Sequence, residues 1–138
     1  MVAKKPNLKT IYQSLADIET SNQVAALATI VRSKGSTPRH GTSKMLIYAD
    51  GSIIGTVGGG GLERRVHEAA MEAIKDGEAR YLTYNMSDPA KGDPGICGGT
   101  VEIFVEAILP KPSLIIIGAG HVGKAVAHLA KWLNFRII

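Results

Sequence analysis

The sequence predicts an α/β protein in which a domain with a mixed sheet is followed by the truncated start of a second α/β unit. Two segments carry apolar residues at helical spacing, β-branched runs lie between them, and a glycine-rich motif follows an apolar strand near residue 118. The 138 residues suffice for one ordinary core but not for two complete α/β domains. We place the first domain at residues 1–109, and a linker with an incomplete strand–helix–strand unit at residues 110–138.

The first half of this domain is predicted to form a helix, a central strand and a hairpin. Residues 8–18 carry apolar side chains three and four positions apart, which indicates an amphipathic helix packed on a sheet. Residues 23–31 are a continuous run of small and β-branched residues, as expected of a strand covered on both faces. Asp50 and Gly51 separate two apolar runs and suit a two-residue type I′ turn, so we expect an antiparallel hairpin there.

The second half is predicted to form a helix followed by two strands. Residues 62–75 have one apolar stripe, and Gly77 follows where a C-terminal cap belongs. Residues 80–85 and 100–108 have the composition and alternation of strands. Two long loops rich in glycine separate elements of the domain, at residues 33–44 and 86–99.

Composition indicates a soluble globular protein and excludes sites that need two cysteines. Hydrophobic residues at 45% and charged residues at 20% are typical of a soluble globular protein. No stretch is long and apolar enough for a membrane helix, and residues 1–9 lack a secretory leader, so we expect a cytoplasmic protein that does not engage a membrane. The single cysteine, Cys97, excludes an intrachain disulfide, and the four histidines show no metal-ligand spacing.

Positive charge is concentrated near the first loop. The net charge is +4, but residues 1–48 hold seven Lys/Arg against two acids, and the rest of the chain holds nine against ten. Four basic residues and no acid lie between Arg32 and Lys44, which indicates either a patch for an anionic group or a solvated loop. Nucleic acid is not expected, because this patch is short and has no interleaved aromatic residues.

Four consecutive glycines, at residues 58–61, precede the second predicted helix. Their backbone amides are unobstructed at the positive end of the helix dipole, which favours an anion-binding cradle. The alternative is a flexible turn. Ordering four consecutive glycines costs much conformational entropy, so a turn that needed only one glycine would not favour four of them.

Gly118, Gly120 and Gly123 form a GxGxxG motif between an apolar strand and a helix. In that context the motif indicates a Rossmann-type unit, whose glycines permit a tight turn and the close approach of a pyrophosphate. A strand–helix turn packed on glycine is the structural alternative. The acidic residue expected about 20 positions later would fall beyond Ile138, so the dinucleotide site is incomplete.

Cys97 lies among glycines at the entrance of the last predicted strand of the domain. Small neighbours would leave the thiol accessible, and nearby amides would lower its pKa. A buried cysteine that only packs is the alternative interpretation.

Taken in order, these motifs resemble the XdhC/CoxI family of xanthine dehydrogenase accessory proteins. The similarity covers nearly the whole chain and is specific as a combination. It rests on segments 26–32, 35–39, 50–55, 58–63, 97–102 and 116–123, which read ALATIVR, GSTPR, DGSIIG, GGGGLE, CGGTVE and IIGAGHVG.

The resemblance implies a maturation factor that binds the pyranopterin molybdenum cofactor, assists its sulfuration and inserts it into a xanthine dehydrogenase-type molybdenum hydroxylase. It implies a binder more than a catalyst, with the client enzyme and a cysteine desulfurase as partners. The cofactor-binding residues it implies are Arg32, Gly35, Ser36, Thr37, Arg39, Gly58, Gly59, Gly60, Gly61, Glu63, Cys97, Gly98 and Gly99. Cys97 would be the one metal-contacting residue. An NAD(P)-dependent oxidoreductase fragment that uses the GxGxxG motif is the alternative function.

Two further expectations concern the family pattern and assembly. Members commonly have a GGCxE motif, whereas this chain has Gly60-Gly61-Leu62-Glu63 and no thiol there. The incomplete second unit would expose strand edges and an apolar face, so we expect residues 113–138 to be covered by another subunit in a homodimer.

Overall fold

The computed structural model describes residues 8–35, 43–85 and 99–138. It confirms the predicted α/β class. Its helices are α1 (Leu8–Ser21), α2 (Gly60–Asp76) and α3 (His121–Trp132). Its strands are β1 (Ala25–Lys34), β2 (Lys44–Tyr48), β3 (Ile53–Gly55), β4 (Arg80–Asn85), β5 (Thr100–Ile108), β6 (Ser113–Leu114) and β7 (Arg136–Ile137).

Five strands form one sheet in the order β3-β2-β1-β5-β4, which confirms the central position of β1. Every described pairing in this sheet is antiparallel, so the sheet itself is not mixed. Parallel pairing occurs only in the second unit among the described residues, between β6 and β7. Short connections favour antiparallel neighbours, and the parallel pair is joined through α3, as a crossover requires.

Helices cover the two faces of this sheet and explain the composition of β1. Ala25 and Leu27 pack with Ile11 and Ile18 of α1, whereas Ala26 and Ala28 lie in the larger core beneath α2. Because both sets of alternating side chains are buried, β1 appears in the sequence as a continuous apolar run.

The central strand is longer than the pattern predicts. It continues to Lys34, which pairs with Thr100, and its register with β5 shifts between Ile30 and Arg32. The polar residues that follow Val31 were expected to belong to a loop. Backbone pairing with β5 keeps them extended, so the β1–β2 loop begins after Lys34.

The hairpin between β2 and β3 is confirmed, but its turn differs from the expected one. Gly51 has φ 82° and Asp50 does not have a positive φ. Tyr48 N donates to the carbonyl of Ser52 at 2.9 Å, so three residues form the loop. A three-residue hairpin loop needs one left-handed residue, here Gly51, instead of the two that a type I′ turn needs.

The second helix agrees with its predicted stripe and cap. Its buried residues are Leu62, Val66, Ala69, Ala70 and Ala73. Gly77 has φ 78°, and its N–H donates to the Ala73 carbonyl at 2.8 Å. The helix starts at Gly60, two residues before the predicted start, so the last two glycines of the run belong to its first turn.

The second unit consists of α3 and the two short parallel strands. Most of its large apolar side chains are exposed, as expected: Ile115, Ile117, Val122, Val126, Leu129, Trp132, Leu133, Ile137 and Ile138. None of the described helices has the length and hydropathy needed to cross a bilayer.

Candidate functional site

The sheet topology brings three loops to one end of the first domain. Because neighbouring strands are antiparallel, β1, β3 and β4 finish at the same end, and β2 and β5 begin there. We call this the upper end of the sheet. Gly35 follows β1, Gly58 follows β3 and Gly99 precedes β5, so three segments that carry predicted site residues flank this end. The predicted site residues Ser36, Thr37, Arg39, Cys97 and Gly98 lie outside the described residues.

The glycine turn between β3 and α2 carries no side chain over the first turn of the helix. Gly58, Gly59 and Gly60 have φ values of 140°, 91° and 63°, which L side chains rarely adopt. Gly59 is the N-terminal cap of α2 and provides no side-chain cap. A Cβ atom at Gly59 or Gly60 would have nothing within 4 Å. The first turn of α2 therefore offers donors and a positive dipole end to a ligand.

Glu63 lies beside this turn and is held by Thr56. The Thr56 hydroxyl donates to Glu63 Oε1, and the Gly58 N–H donates to Thr56 Oγ1 at 3.1 Å. Thr56 is itself fixed to the sheet, since its N–H donates to the Lys44 carbonyl at 3.1 Å. The carboxylate disfavours a bare anion at the turn, but it can accept hydrogen bonds from ligand N–H groups. The arrangement suits a ligand that combines an anionic group with N–H donors.

Gly55 is a structural requirement that sequence reasoning missed. Its φ is 86°, and an added Cβ would lie 2.5 Å from the Lys44 carbonyl oxygen and 2.8 Å from Ile11 Cδ1. The strand must therefore approach β2 and α1 without a side chain. The available signal was a glycine at the end of an apolar strand, which often marks close backbone approach.

Arg32 lies on the sheet face opposite α2. Its partner in the register, Glu102, alternates with the buried Val101 and Ile103 and so points away from that helix. Arg32 Nη1 lies 3.7 Å from Glu102 Oε1, and the Tyr81 hydroxyl donates to Glu102 Oε2. The Glu102 carboxylate raises the pKa of Tyr81 through that hydrogen bond. The described contacts thus join Arg32 to Glu102 and Tyr81, and do not join it to the glycine turn.

The glycine motif of the second unit has the geometry of a dinucleotide-binding turn. Gly118 has φ 109°, and Gly120 caps α3 with open space where a Cβ would stand. A Cβ at Gly123 would lie 2.3 Å from the Gly118 carbonyl oxygen. The motif borders a groove of about 600 Å³, lined also by Leu114, Ile117 and Val126. Gly120 thus leaves room for a ligand, and Gly123 permits close packing of the helix on the strand, as in the dinucleotide fingerprint.

Neither unit shows a preformed metal cage. Within residues 8–35, 43–85 and 99–138, no group of three His, Cys, Asp or Glu side chains could hold a metal ion.

Comparison with known proteins identifies the first domain. Residues 19–85 match the family model described as the XdhC and CoxI family. The chain is 41% identical over 131 residues to the uncharacterised protein YqeB of Escherichia coli K12, and this match covers 92% of the chain and 24% of YqeB. The chain thus spans about a quarter of the length of that relative.

A crystal structure described as a xanthine dehydrogenase from Bacillus halodurans has a similar fold. The TM-score is 0.62 with 22% sequence identity, over 88% of this chain and 34% of that one. At this identity the likeness establishes the fold alone. The family match, over residues 19–85, includes the central strand and the glycine turn, and it confirms the resemblance to the XdhC and CoxI family that the sequence motifs indicate.

Proposed function

We propose that this protein binds the pyranopterin molybdenum cofactor and assists its sulfuration and its insertion into a xanthine dehydrogenase-type molybdenum hydroxylase. The observation that carries the proposal is the open glycine turn beside Glu63 at the upper end of the sheet. The match to the XdhC and CoxI family supports an accessory role for this domain.

The chemistry of the glycine turn fits both ends of molybdopterin. The terminal phosphate can accept hydrogen bonds from the amides that begin α2, where Gly59 and Gly60 leave open space. The pterin ring carries amino and ring N–H donors, which a carboxylate such as Glu63 accepts. A bare phosphate would be attracted by the amides and repelled by the Glu63 carboxylate. The amides and the carboxylate together therefore favour the whole cofactor over phosphate alone.

The remaining predicted contacts complete the proposal. Ser36, Thr37 and Arg39 follow β1 and would add polar and charged donors to the phosphate. Cys97 precedes β5 and would offer a soft ligand to the metal or its dithiolene. When bound, the cofactor supplies the molybdenum centre that the client enzyme uses. The chain's own residues bind it, orient it and limit the access of water.

The proposed partners follow from this role. They are a molybdenum hydroxylase that receives the cofactor and a cysteine desulfurase that supplies sulfur, in the cytoplasm. We treat the protein as a carrier with no catalytic residue of its own.

The proposal is tested by purifying the protein from cells that make molybdenum cofactor and from cells that cannot. Bound pterin is oxidised and measured by fluorescence. We expect a fluorescent pterin only in the first preparation. Glu63→Gln should lower the bound fraction, while Glu106→Gln, a matched change on β5, should not. Pterin-free protein from cofactor-producing cells would contradict the proposal.

A second candidate function is dinucleotide binding by the second unit. The observation that favours it is the division of roles between Gly120, which is open, and Gly123, which packs against the Gly118 carbonyl. Titration with NADH, followed by nucleotide fluorescence, tests it. Binding that is lost in Gly120→Val would support this function, and no binding to the native chain would contradict it.

A further inference from the structure

We infer that the strand β4 is a docking edge for a second copy of this chain, and that the two β4 strands pair antiparallel about a two-fold axis at Leu82. The resulting dimer would carry one continuous sheet of ten strands. This inference does not depend on the cofactor proposal, because none of the residues that support it belongs to the glycine turn.

The first observation is that β4 is an edge strand among the described residues and lacks the protective features of its own that edge strands usually have. It lies at the end of the sheet order and pairs only with β5 among the described strands. Its six residues include no proline or glycine. Its one charged residue, Arg80, is engaged with Asp76, Glu72 and the Glu78 carbonyl. Proteins usually shorten, charge or cover an edge strand, because its open N–H and C=O groups recruit other strands.

The opposite edge of the sheet is shorter and ends in a glycine. The strand β3 has only three residues, Ile53–Gly55, and α1 packs against it. Among the described residues, β3 is therefore the short strand that a helix packs against, and β4 offers the longer row of open backbone groups. This asymmetry predicts association through β4 and not through β3.

The second observation is that the side chains of β4 are compatible with self-pairing. A two-fold axis perpendicular to the sheet keeps both copies of α2 on one face, so residues that pair must point to the same face. An axis at Leu82 meets this condition. It pairs Leu82 with itself, Tyr81 with Thr83, and Arg80 with Tyr84. The second pair joins an exposed aromatic ring to a β-branched residue, which is a favourable cross-strand pair.

The third observation is that the charges beside β4 are self-complementary. Arg65 of α2 lies 5.5 Å from the ring centroid of Tyr84, near one end of the strand. Glu72 and Asp76 of α2 both pair with Arg80 at the other end, which leaves one net negative charge there. The proposed axis exchanges the two ends, so the basic end of each copy faces the acidic end of the other.

The fourth observation is an apolar groove that accompanies this edge. It has a volume of about 350 Å³ and lies between α2 and β4. Leu62, Ala69 and Leu82 form its apolar part, and Arg65, Glu68 and Glu72 line its charged part. An axis at Leu82 joins the grooves of the two copies and removes this half-buried leucine from water. A second copy would cover the groove and extend the sheet in one step, in the manner of β-augmentation.

The apolar side chains of residues 113–138 are the competing surface for association. They are more exposed than those of β4, but no described residue shows what covers them. The strand β4 is complementary to the β4 strand of a second copy, in its paired side chains and in its charges. For that reason we assign the dimer contact to β4. The experiment must separate these two surfaces.

Disulfide trapping in the 138-residue chain tests the register. Cys97→Ser removes the native thiol, and Leu82→Cys then places one cysteine on the proposed axis. Mild copper-catalysed oxidation should give a covalent dimer on a non-reducing gel. Thr83→Cys in the same background is the matched control, since its two copies would lie two residues out of register, on the order of 8 Å apart and too far for a disulfide. Ser52→Cys, in the exposed turn between β2 and β3, reports random collisions.

We expect the Leu82→Cys dimer to form at least ten times faster than either control dimer. Light scattering of the native protein across a concentration series should show its mass rising towards that of a dimer. Amide exchange in β4 should slow over the same range. A monomer at all concentrations overturns the inference. A dimer with equal trapping at all three positions also overturns it, and assigns the contact to another surface such as residues 113–138.

Discussion

Replacing Gly55 with alanine separates the structural glycine from the glycines that we assign to the ligand. Gly55 and Gly59 both have positive φ values, of 86° and 91°. Their surroundings differ. A Cβ at Gly55 would lie 2.5 Å from the Lys44 carbonyl oxygen, whereas a Cβ at Gly59 would have no neighbour within 4 Å. The two substitutions therefore share the cost of backbone strain and differ in the cost of collision.

The magnitudes follow from this difference. Forcing an L residue to positive φ values of this size costs roughly 1 to 3 kcal/mol, and both variants incur such a cost. Overpacking adds about 1 to 3 kcal/mol at Gly55, because the Lys44 carbonyl accepts the Thr56 N–H and cannot move freely. We expect Gly55→Ala to lower the free energy of unfolding by about 2 to 6 kcal/mol, and Gly59→Ala by only about 1 to 3 kcal/mol.

Urea unfolding followed by circular dichroism measures both changes, and pterin binding is measured on the same preparations. Gly55→Ala should lose stability but keep its affinity per folded molecule. Gly59→Ala should remain folded and bind less cofactor, because its new methyl group occupies the space above the amides of α2. Equal loss of stability in the two variants would refute the steric argument. Unchanged affinity in Gly59→Ala would remove the glycine turn from the site.

Three further predictions concern charge and the thiol. Arg39→Ala should weaken pterin binding by about 1.5 to 3 kcal/mol, measured by titration, if the residue makes a buried charge-assisted contact; unchanged affinity would remove it from the site. Cys97→Ser should fold normally and deliver less active cofactor to the client enzyme; a thiol that alkylating reagents modify only after unfolding would indicate the packing role instead. Asp76 has its pKa lowered to about 2, chiefly by its hydrogen bond with Arg80 and also by the Glu78 N–H. A lowered pKa stabilises the fold above the ordinary value of 3.8 and loses that contribution as the pH falls towards 2. Asp76→Asn should therefore be less stable than the native protein at pH 7 and nearly equal to it at pH 2, as judged by urea midpoints; a constant difference across that range would contradict the assignment.

Local patterns were sufficient for the features that depend on neighbours in sequence. The stripe of α2 repeats every three to four residues, and Gly77 caps the helix through a bond to Ala73, four residues away. The burial of β1 on both faces was visible because its small and β-branched residues are continuous. Such features require no knowledge of the rest of the fold.

Features that depend on distant residues were not predictable in this way. The extension of β1 to Lys34 needs its pairing with Thr100, and the need for glycine at position 55 arises from Ile11 and the Lys44 carbonyl. Arg32 was assigned to an anion site from local charge. Its pairing with Glu102 becomes apparent only from the register of β1 and β5. The predicted roles of Ser36, Thr37, Arg39, Cys97 and Gly98 stay predictions.

The path of the chain explains why loops far apart in sequence flank one end of the sheet. The glycine turn must lie where β3 finishes, and α2 then crosses from the β3 edge to the β4 edge while returning to the lower end. The strand β4 therefore runs from the lower to the upper end of the sheet. The segment that contains Cys97 connects β4 to β5, and so it begins at the same end of the sheet as the glycine turn. A ligand held there would depend on three strand ends that only the intact sheet brings together. If the folded variant Gly59→Ala loses cofactor binding, the loss consequently reports on the site. If Gly55→Ala loses binding only in proportion to its unfolded fraction, the loss reports on the stability of the sheet.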